Sequence, residues 1–387
     1  MTISRIRASF FQGKLTFIML LTGCNVVFGL VNLSISFQFL SYSDFGVWAV
    51  AFSIYNWIGT FGGGLGNQAR NHYALAHRDG KDVQKVLIFK ETFQKSAIVL
   101  VSMWLCWRFI GFVIDWESLF SGTITTFFLE MVVFLGLLNE WSKNANRFLF
   151  ATNRGYATVL APLLNNLLIL IIMGLFSMEI VPRNFLEGYE VVAIALLYTV
   201  FAPFLNLTVV LYFFKATLFQ KIPSKGALLE YKDGFWFVGF KVLSGLVLAT
   251  LPGIAMYASG ANAAGDIGIL IRLYSLPLLI VTVFLQHEWL GITLRAFSKD
   301  IRKEFIWNTR LSLGSLGTMM VFLLIFCLQT EILNIWLRDI INIPSLTSFL
   351  VFLFFCILVI KRFLVTILQA INEIKISAQA SLLSVLG

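Results

Sequence analysis

Four basic residues, Lys241, Arg272, Lys361 and Arg362, stand inside stretches of the chain that are otherwise apolar for twenty residues or more. An Arg or Lys at the middle of a membrane helix costs roughly 2.5–3.5 kcal/mol on insertion scales, so such residues face a bundle interior or a wet cleft. The competing explanation is snorkelling, in which a long stem carries the charged head to the interface. Arg272 and Lys241 each occupy the seventh position of their stretch, and Lys361 and Arg362 fall in the second half of theirs. Against these cations the sequence sets one acid deep within a stretch, Glu130, since Glu140 and Glu288 lie near span ends, as a neutralising partner or the carrier of a coupling proton. A cleft richer in positive than negative charge favours an anionic ligand, and guanidinium is suited to bidentate phosphate binding.

The elements that must position these residues are membrane spans. Crossing the hydrocarbon takes about 20 apolar residues. Ten stretches qualify, at residues 15–40, 45–66, 93–114, 124–141, 157–177, 190–214, 235–257, 266–290, 306–328 and 346–370. Lys and Arg fall into alternate connections: 22 of 29 lie at the N-terminus, in the even-numbered loops or just after the tenth span, and only Arg108, Arg183 and Arg338 lie on the other side. Cytoplasmic loops retain basic residues, which predicts a cytoplasmic N-terminus. Loops around Lys81, Lys225 and Arg302 are then cytoplasmic, and those around Glu117, Glu187 and Ala261 are on the far side.

Composition agrees. A chain of 387 residues that is 58% hydrophobic and 13% charged is not a soluble globular protein. Its net charge of +9 is scattered over short connections, which excludes a nucleic-acid-binding arm. Cys24, Cys106, Cys327 and Cys356 all lie within spans without metal-ligand spacing, so neither a disulfide framework nor a metal site is expected. The first span is too long for a signal-peptide core and has no small-residue cleavage site after it, so it is read as retained. Trp116, Trp141, Trp236, Trp289, Trp307 and Trp336 near span ends read as interfacial anchors. Pro162, Pro203, Pro252 and Pro277 lie within spans, where they kink helices or merely reflect the tolerance of membrane helices for proline. Asn25, Asn32, Asn56, Asn165, Asn166 and Asn206 are either cleft-lining groups or, more commonly, interhelical hydrogen-bonding groups.

An internal repeat is visible. Leu149–Leu164 and Leu368–Leu383 align without gaps at an offset of 219 residues, with six identities in sixteen, and the basic loops after spans 2 and 8 place Asp79 and Asp300 at an offset of 221. The predicted fold is all-α and polytopic, with two pseudo-symmetric lobes in parallel orientation: residues 1–215 and a shorter lobe at 216–387, making ten full spans and a partial eleventh. On that offset the second lobe falls about 45 residues short of two complete six-helix halves, and residues 376–387 are expected to pack poorly.

The run from Tyr42 to Asp82 resembles the second-helix signature of O-antigen and polysaccharide exporters, in the multidrug, oligosaccharidyl-lipid and polysaccharide exporter superfamily. The matching residues are Asp44-Phe45-Gly46 with Trp48, then Gly64-Leu65-Gly66-Asn67, Arg70-Asn71 and Ala76 to Asp79. A looser resemblance covers Gly265 to Asp300, around Ile271-Arg272-Leu273. The chain departs from the pattern in lacking an acid near Gly62 and full eleventh and twelfth helices.

The resemblance implies a Wzx-type flippase. Such a protein carries an undecaprenyl-pyrophosphate-linked oligosaccharide, an O-antigen or capsule unit, across the bacterial inner membrane by alternating access. Arg272, Lys241, Lys361 and Arg362 are then the candidate cationic cleft, and Glu130 the candidate ion-coupling acid. The partners implied are the lipid-linked oligosaccharide, membrane lipids, a glycan polymerase and a chain-length regulator, with no cofactor and no nucleic acid. Two alternatives compete. A multidrug/cation antiporter of the same superfamily needs acids in the membrane, where this chain places mostly bases. A membrane-embedded glycan polymerase or glycosyltransferase needs a large extramembrane loop or a catalytic acid pair, and neither is recognisable.

Overall fold

The computed structural model describes residues 3–61, 63–113, 117, 125–152, 154–182, 188–220, 250–296, 301–337 and 343–370. The described chain is helical throughout, with no strand: α1 (Ile3–Ser36), α2 (Tyr42–Phe61), α3 (Gly63–Arg78), α4 (Asp82–Val113), α5 (Thr126–Ala151), α6 (Ala157–Ser177), α7 (Glu190–Phe219), α8 (Ala261–Ala296), α9 (Ile301–Cys327), α10 (Gln329–Leu337) and α11 (Ser345–Ala370). Residues 250–259 are also helical and turn into α8 at Gly260, whose φ of 87° suits glycine.

Nine of the ten predicted spans fall on these helices. Of the seventh, only residues 250–257 are described. Phe17–Ser36, Asp82–Val113, Ala157–Ser177, Glu190–Phe219 and Ser345–Val365 are each long and apolar enough to cross a membrane, and Ser312–Cys327 with Gln329–Leu337 adds a sixth if that pair, bent by 67°, is one span. Large apolar side chains such as Phe109, Phe112, Leu346 and Ile357 point outward, as a lipid-facing surface requires. The expectation for residues 376–387, and the second member of the repeat beyond Ala370, lie outside the described residues.

Several basic connections turn out to be helical extensions. The apolar run of span 4 ends near residue 141, but α5 continues through Ser142–Ala151, and α3 carries Arg70 to Arg78. No helix breaker intervenes before Gly80 or Thr152, so the backbone stays helical after hydrophobicity ends. At the α3–α4 turn Arg78 lies 3.0 Å and Lys81 3.4 Å from Asp79, and hold its carboxyl below the usual carboxylate range. The connection between spans 9 and 10, expected as a loop, contains α10. Trp336 Nε1 on α10 donates to the Leu30 carbonyl on α1 at 3.1 Å, and Gln329 bridges Tyr274 on α8 and Ser348 on α11 at 3.2 and 2.7 Å.

The seam that positions the site is between α2 and α8, which run in the same direction. α2 starts from a reciprocal cap: Ser41 Oγ accepts from the Asp44 N–H at 3.2 Å, and the Asp44 carboxylate accepts from the Ser41 N–H at 3.3 Å. A Cβ at Gly46 would stand 1.8 Å from the Ala261 carbonyl oxygen, and one at Gly268 would stand 2.6 Å from Ala49 Cβ. The two backbones meet as closely as they do because these positions carry no side chain. Tyr42 Oη donates to Asp266 at the start of this seam. Beyond it, buried Phe45, Trp48, Leu270, Leu273 and Tyr274 belong to one apolar core reaching from α1 to α11.

Candidate functional site

Arg272 lies one turn past Gly268 on α8, facing α2. Its guanidinium carbon sits 3.8 Å from the centre of the Phe52 ring and 5.1 Å from that of Trp48. Phe52 and Trp48 are four residues apart on one helical face, so their rings stack, 5.2 Å between centroids. Tyr198 of α7 meets Trp48 edge-on at 5.4 Å, and its hydroxyl is 3.1 Å from Ser36 Oγ. Among the described residues no carboxylate pairs with Arg272, and its buried Nη2 has no hydrogen-bond acceptor. A desolvated cation on an aromatic face gains about 2 kcal/mol. Two such faces therefore offset much of the roughly 2.5–3.5 kcal/mol insertion cost while leaving the outer edge of the guanidinium available.

The other predicted site residues are placed elsewhere. Arg362 on α11 donates through Nε to Thr282 Oγ1 at 3.4 Å. Thr282 is ten residues beyond Arg272 on α8, about 15 Å along the helix axis, so the two guanidiniums are not brought together. Lys361 is half-buried beside Arg362. Lys241 lies outside the described residues. Among the described residues Glu130 pairs with Arg108 of α4. Its side chain is 25% exposed and that of Arg108 42% exposed, so the pair is a partly exposed clasp between α4 and α5.

The sequence reading passed over the most buried ion pair. Glu140, only 2% exposed, accepts from Arg147 seven residues on along α5, and Arg147 also donates to Asn144. Asn206 of α7 donates to Asn139 at 2.9 Å and accepts from Asn146 at 2.7 Å. The signal was the spacing Asn139, Glu140, Lys143, Asn144, Asn146, Arg147, which lines a polar stripe along a helix; as a loop it carried no meaning. The signature segment fits here as well. A Cβ at Gly66 would stand 2.7 Å from both Arg147 Nη1 and Asn144 Oδ1, and Arg70, one turn on, is buried on the same helix. The signature thus builds both ends of the α2–α3 unit: Asp44 caps α2, Gly46 and Trp48 form the seam with α8, and Gly66 makes room for the charged stripe.

The span asparagines mostly join helices. Asn166 Nδ2 donates to Asn25 Oδ1 at 2.9 Å and Asn32 Nδ2 to the Asn166 carbonyl at 2.7 Å, which ties α1 to α6.

No family model and no curated protein matches this chain. Its fold is nevertheless that of solved MATE transporters. A MATE crystal structure in complex with MaL6 superposes with a TM-score of 0.65 at 12% identity, over 95% of this chain and 84% of that one. An outward-facing multidrug resistance MATE family transporter of the MOP superfamily gives 0.62 at 13% identity, over 95% and 84%. An inward-facing one gives 0.58 at 15%, over 94% and 84%. The chain is an all-helical, multi-pass membrane protein with a MATE-type transporter architecture.

Proposed function

We propose that the chain is a flippase for an undecaprenyl-pyrophosphate-linked oligosaccharide, and that Arg272 holds the diphosphate while the lobes at residues 1–215 and 216–387 alternate access from the cytoplasmic to the far leaflet of the inner membrane. The observation that carries this reading is the half-buried Arg272 at the α2–α8 seam, its guanidinium compensated by aromatic faces and its buried Nη2 lacking an acceptor among the described residues. Such a group is an anion receptor. Solved MATE transporters of this fold are recorded both inward-facing and outward-facing, which supports the alternating-access part. The protein acts as a transporter, its N-terminus cytoplasmic, feeding a glycan polymerase and chain-length regulator.

Multidrug/cation antiport is the second reading, favoured by the solved neighbours that are multidrug resistance transporters. It calls for an acid open to a cationic ligand. Among the described residues the buried or half-buried acids are engaged: Glu130 with Arg108, Glu140 with Arg147, Glu91 with Lys95, Asp266 with Tyr42, Asp44 with Ser41 and Glu190 with the Gly188 N–H.

The test is surface glycan display in cells that depend on this chain. Arg272→Ala abolishes display while the protein remains in the membrane, and Arg272→Lys, which keeps charge but loses the planar fork, retains part. Full display by Arg272→Ala contradicts the assignment.

A further inference from the structure

We propose that Trp48 is a ligand-binding residue of the same inter-lobe site, its indole N–H serving beside the Arg272 guanidinium as a second donor to a diphosphate group. This deepens the flippase reading and rests on it. Trp48 is 1% exposed. Its ring is packed by Phe45 at 5.1 Å, Phe52 at 5.2 Å, Tyr198 at 5.4 Å and the Arg272 guanidinium at 5.1 Å, yet Nε1 has no acceptor among the described residues. The indole nitrogen is a donor only, and a buried donor without an acceptor is rare enough in folded proteins to require an explanation.

The nearby polar groups do not supply that acceptor. The Tyr198 hydroxyl is engaged with Ser36, and the Asp266 carboxylate with Tyr42, six residues before Arg272 on α8. The Tyr55 hydroxyl is also buried without a partner, but it lies in the field of Glu140, on the α5 side of α2, and is not assigned to this site. What remains on these two contacting side chains is a pair of donors without acceptors among the described residues, Nη2 and the Trp48 N–H, bordered by aromatic rings. Such a pair repels a cationic amine and suits an anion with several acceptor oxygens. A diphosphate can take a hydrogen bond from each donor at once. With Trp48 buried, the ligand reaches it only when α2 and α8 part, so binding and lobe separation are coupled. Trp48 then has two separable roles: its ring, with Phe52, holds the guanidinium, and its N–H binds the ligand.

The experiment is isothermal titration of the purified full chain in detergent with two probes, inorganic pyrophosphate and farnesyl diphosphate. Wild type binds both; tighter binding of the prenyl form points to a lipid head group, and equal binding to a free diphosphate. Trp48→Phe keeps an aromatic ring and removes the N–H, and is expected to weaken both about 10- to 100-fold, the value of one hydrogen bond to a charged acceptor. Should Trp48→Phe lower thermal stability, benzothienylalanine at position 48, which has the indole shape without the N–H, gives the same reading. Wild-type affinity in the N–H-free variant, with binding abolished in Arg272→Ala, overturns the role of Trp48 and leaves the flippase reading standing. Wild-type affinity in Arg272→Ala, or no binding of either probe to wild type, overturns both.

Discussion

The α3–α5–α7 cluster and the α2–α8 seam both bury a guanidinium, and they compensate it by different means. Arg147 has a carboxylate, Glu140, and a neighbouring amide, Asn144, on its own helix. Arg272 has ring faces supplied by another helix, and one nitrogen left without an acceptor. A carboxylate neutralises a guanidinium and occupies its donors, whereas a ring face stabilises the charge and leaves the donors at the edge free. The first arrangement satisfies the cation within α5, where Gly66 of α3 packs against it; the second leaves Nη2 without an acceptor, which is what the proposed ligand role requires.

The comparison breaks most readily at Glu140. Glu140→Leu strips a buried guanidinium of its carboxylate and is expected to cost about 3–5 kcal/mol, seen as loss of protein from the membrane and a lower melting temperature in detergent. Pairing it with Arg147→Met should recover most of the loss. An unchanged melting temperature for Glu140→Leu would show that the pair does not stabilise the fold.

Gly46→Ala sharpens the other side. The added Cβ meets the Ala261 carbonyl, so α2 and α8 must separate, at about 1–3 kcal/mol, the usual cost of overpacking. A melting temperature equal to that of wild type contradicts the close approach. Asn206→Leu removes two interhelical contacts at roughly 0.6 kcal/mol each and should cost about 1 kcal/mol. The smallest effect belongs to Arg108→Ala, at or below about 1 kcal/mol, because its pair with Glu130 is peripheral and partly exposed. Export by Glu130→Gln should likewise stay near wild type, and its loss would restore Glu130 as a coupling acid.

Those differences follow what the sequence made legible. Apolar length placed nine of the ten spans on helices, because hydrocarbon thickness is a constraint each segment meets on its own. Arg272 stood out by the same logic, as a costly residue in an apolar run. What stayed hidden depends on pairing between segments. Nothing local to Trp48 and Phe52 says that their shared face meets Arg272 more than two hundred residues later in the sequence. Nor does Glu130 announce Arg108 as its partner. The Glu140–Arg147 stripe was legible in principle, since its spacing is helical, but reading the end of hydrophobicity as the end of the helix concealed it. Gly46 and Gly66 were visible as a signature, and their physical reason, close approach to Ala261 and to Arg147, appears only in three dimensions.

The central claim is that this MATE-type architecture handles an anionic, lipid-linked diphosphate through Arg272. The most direct measurement reconstitutes the full chain in liposomes and follows two cargoes in parallel: transbilayer movement of a prenyl-diphosphate-linked oligosaccharide and extrusion of a cationic dye. The account predicts that wild type moves the oligosaccharide lipid and not the dye, and that Arg272→Ala moves neither. Dye extrusion by wild type that persists in Arg272→Ala, with no movement of the oligosaccharide lipid, would contradict it.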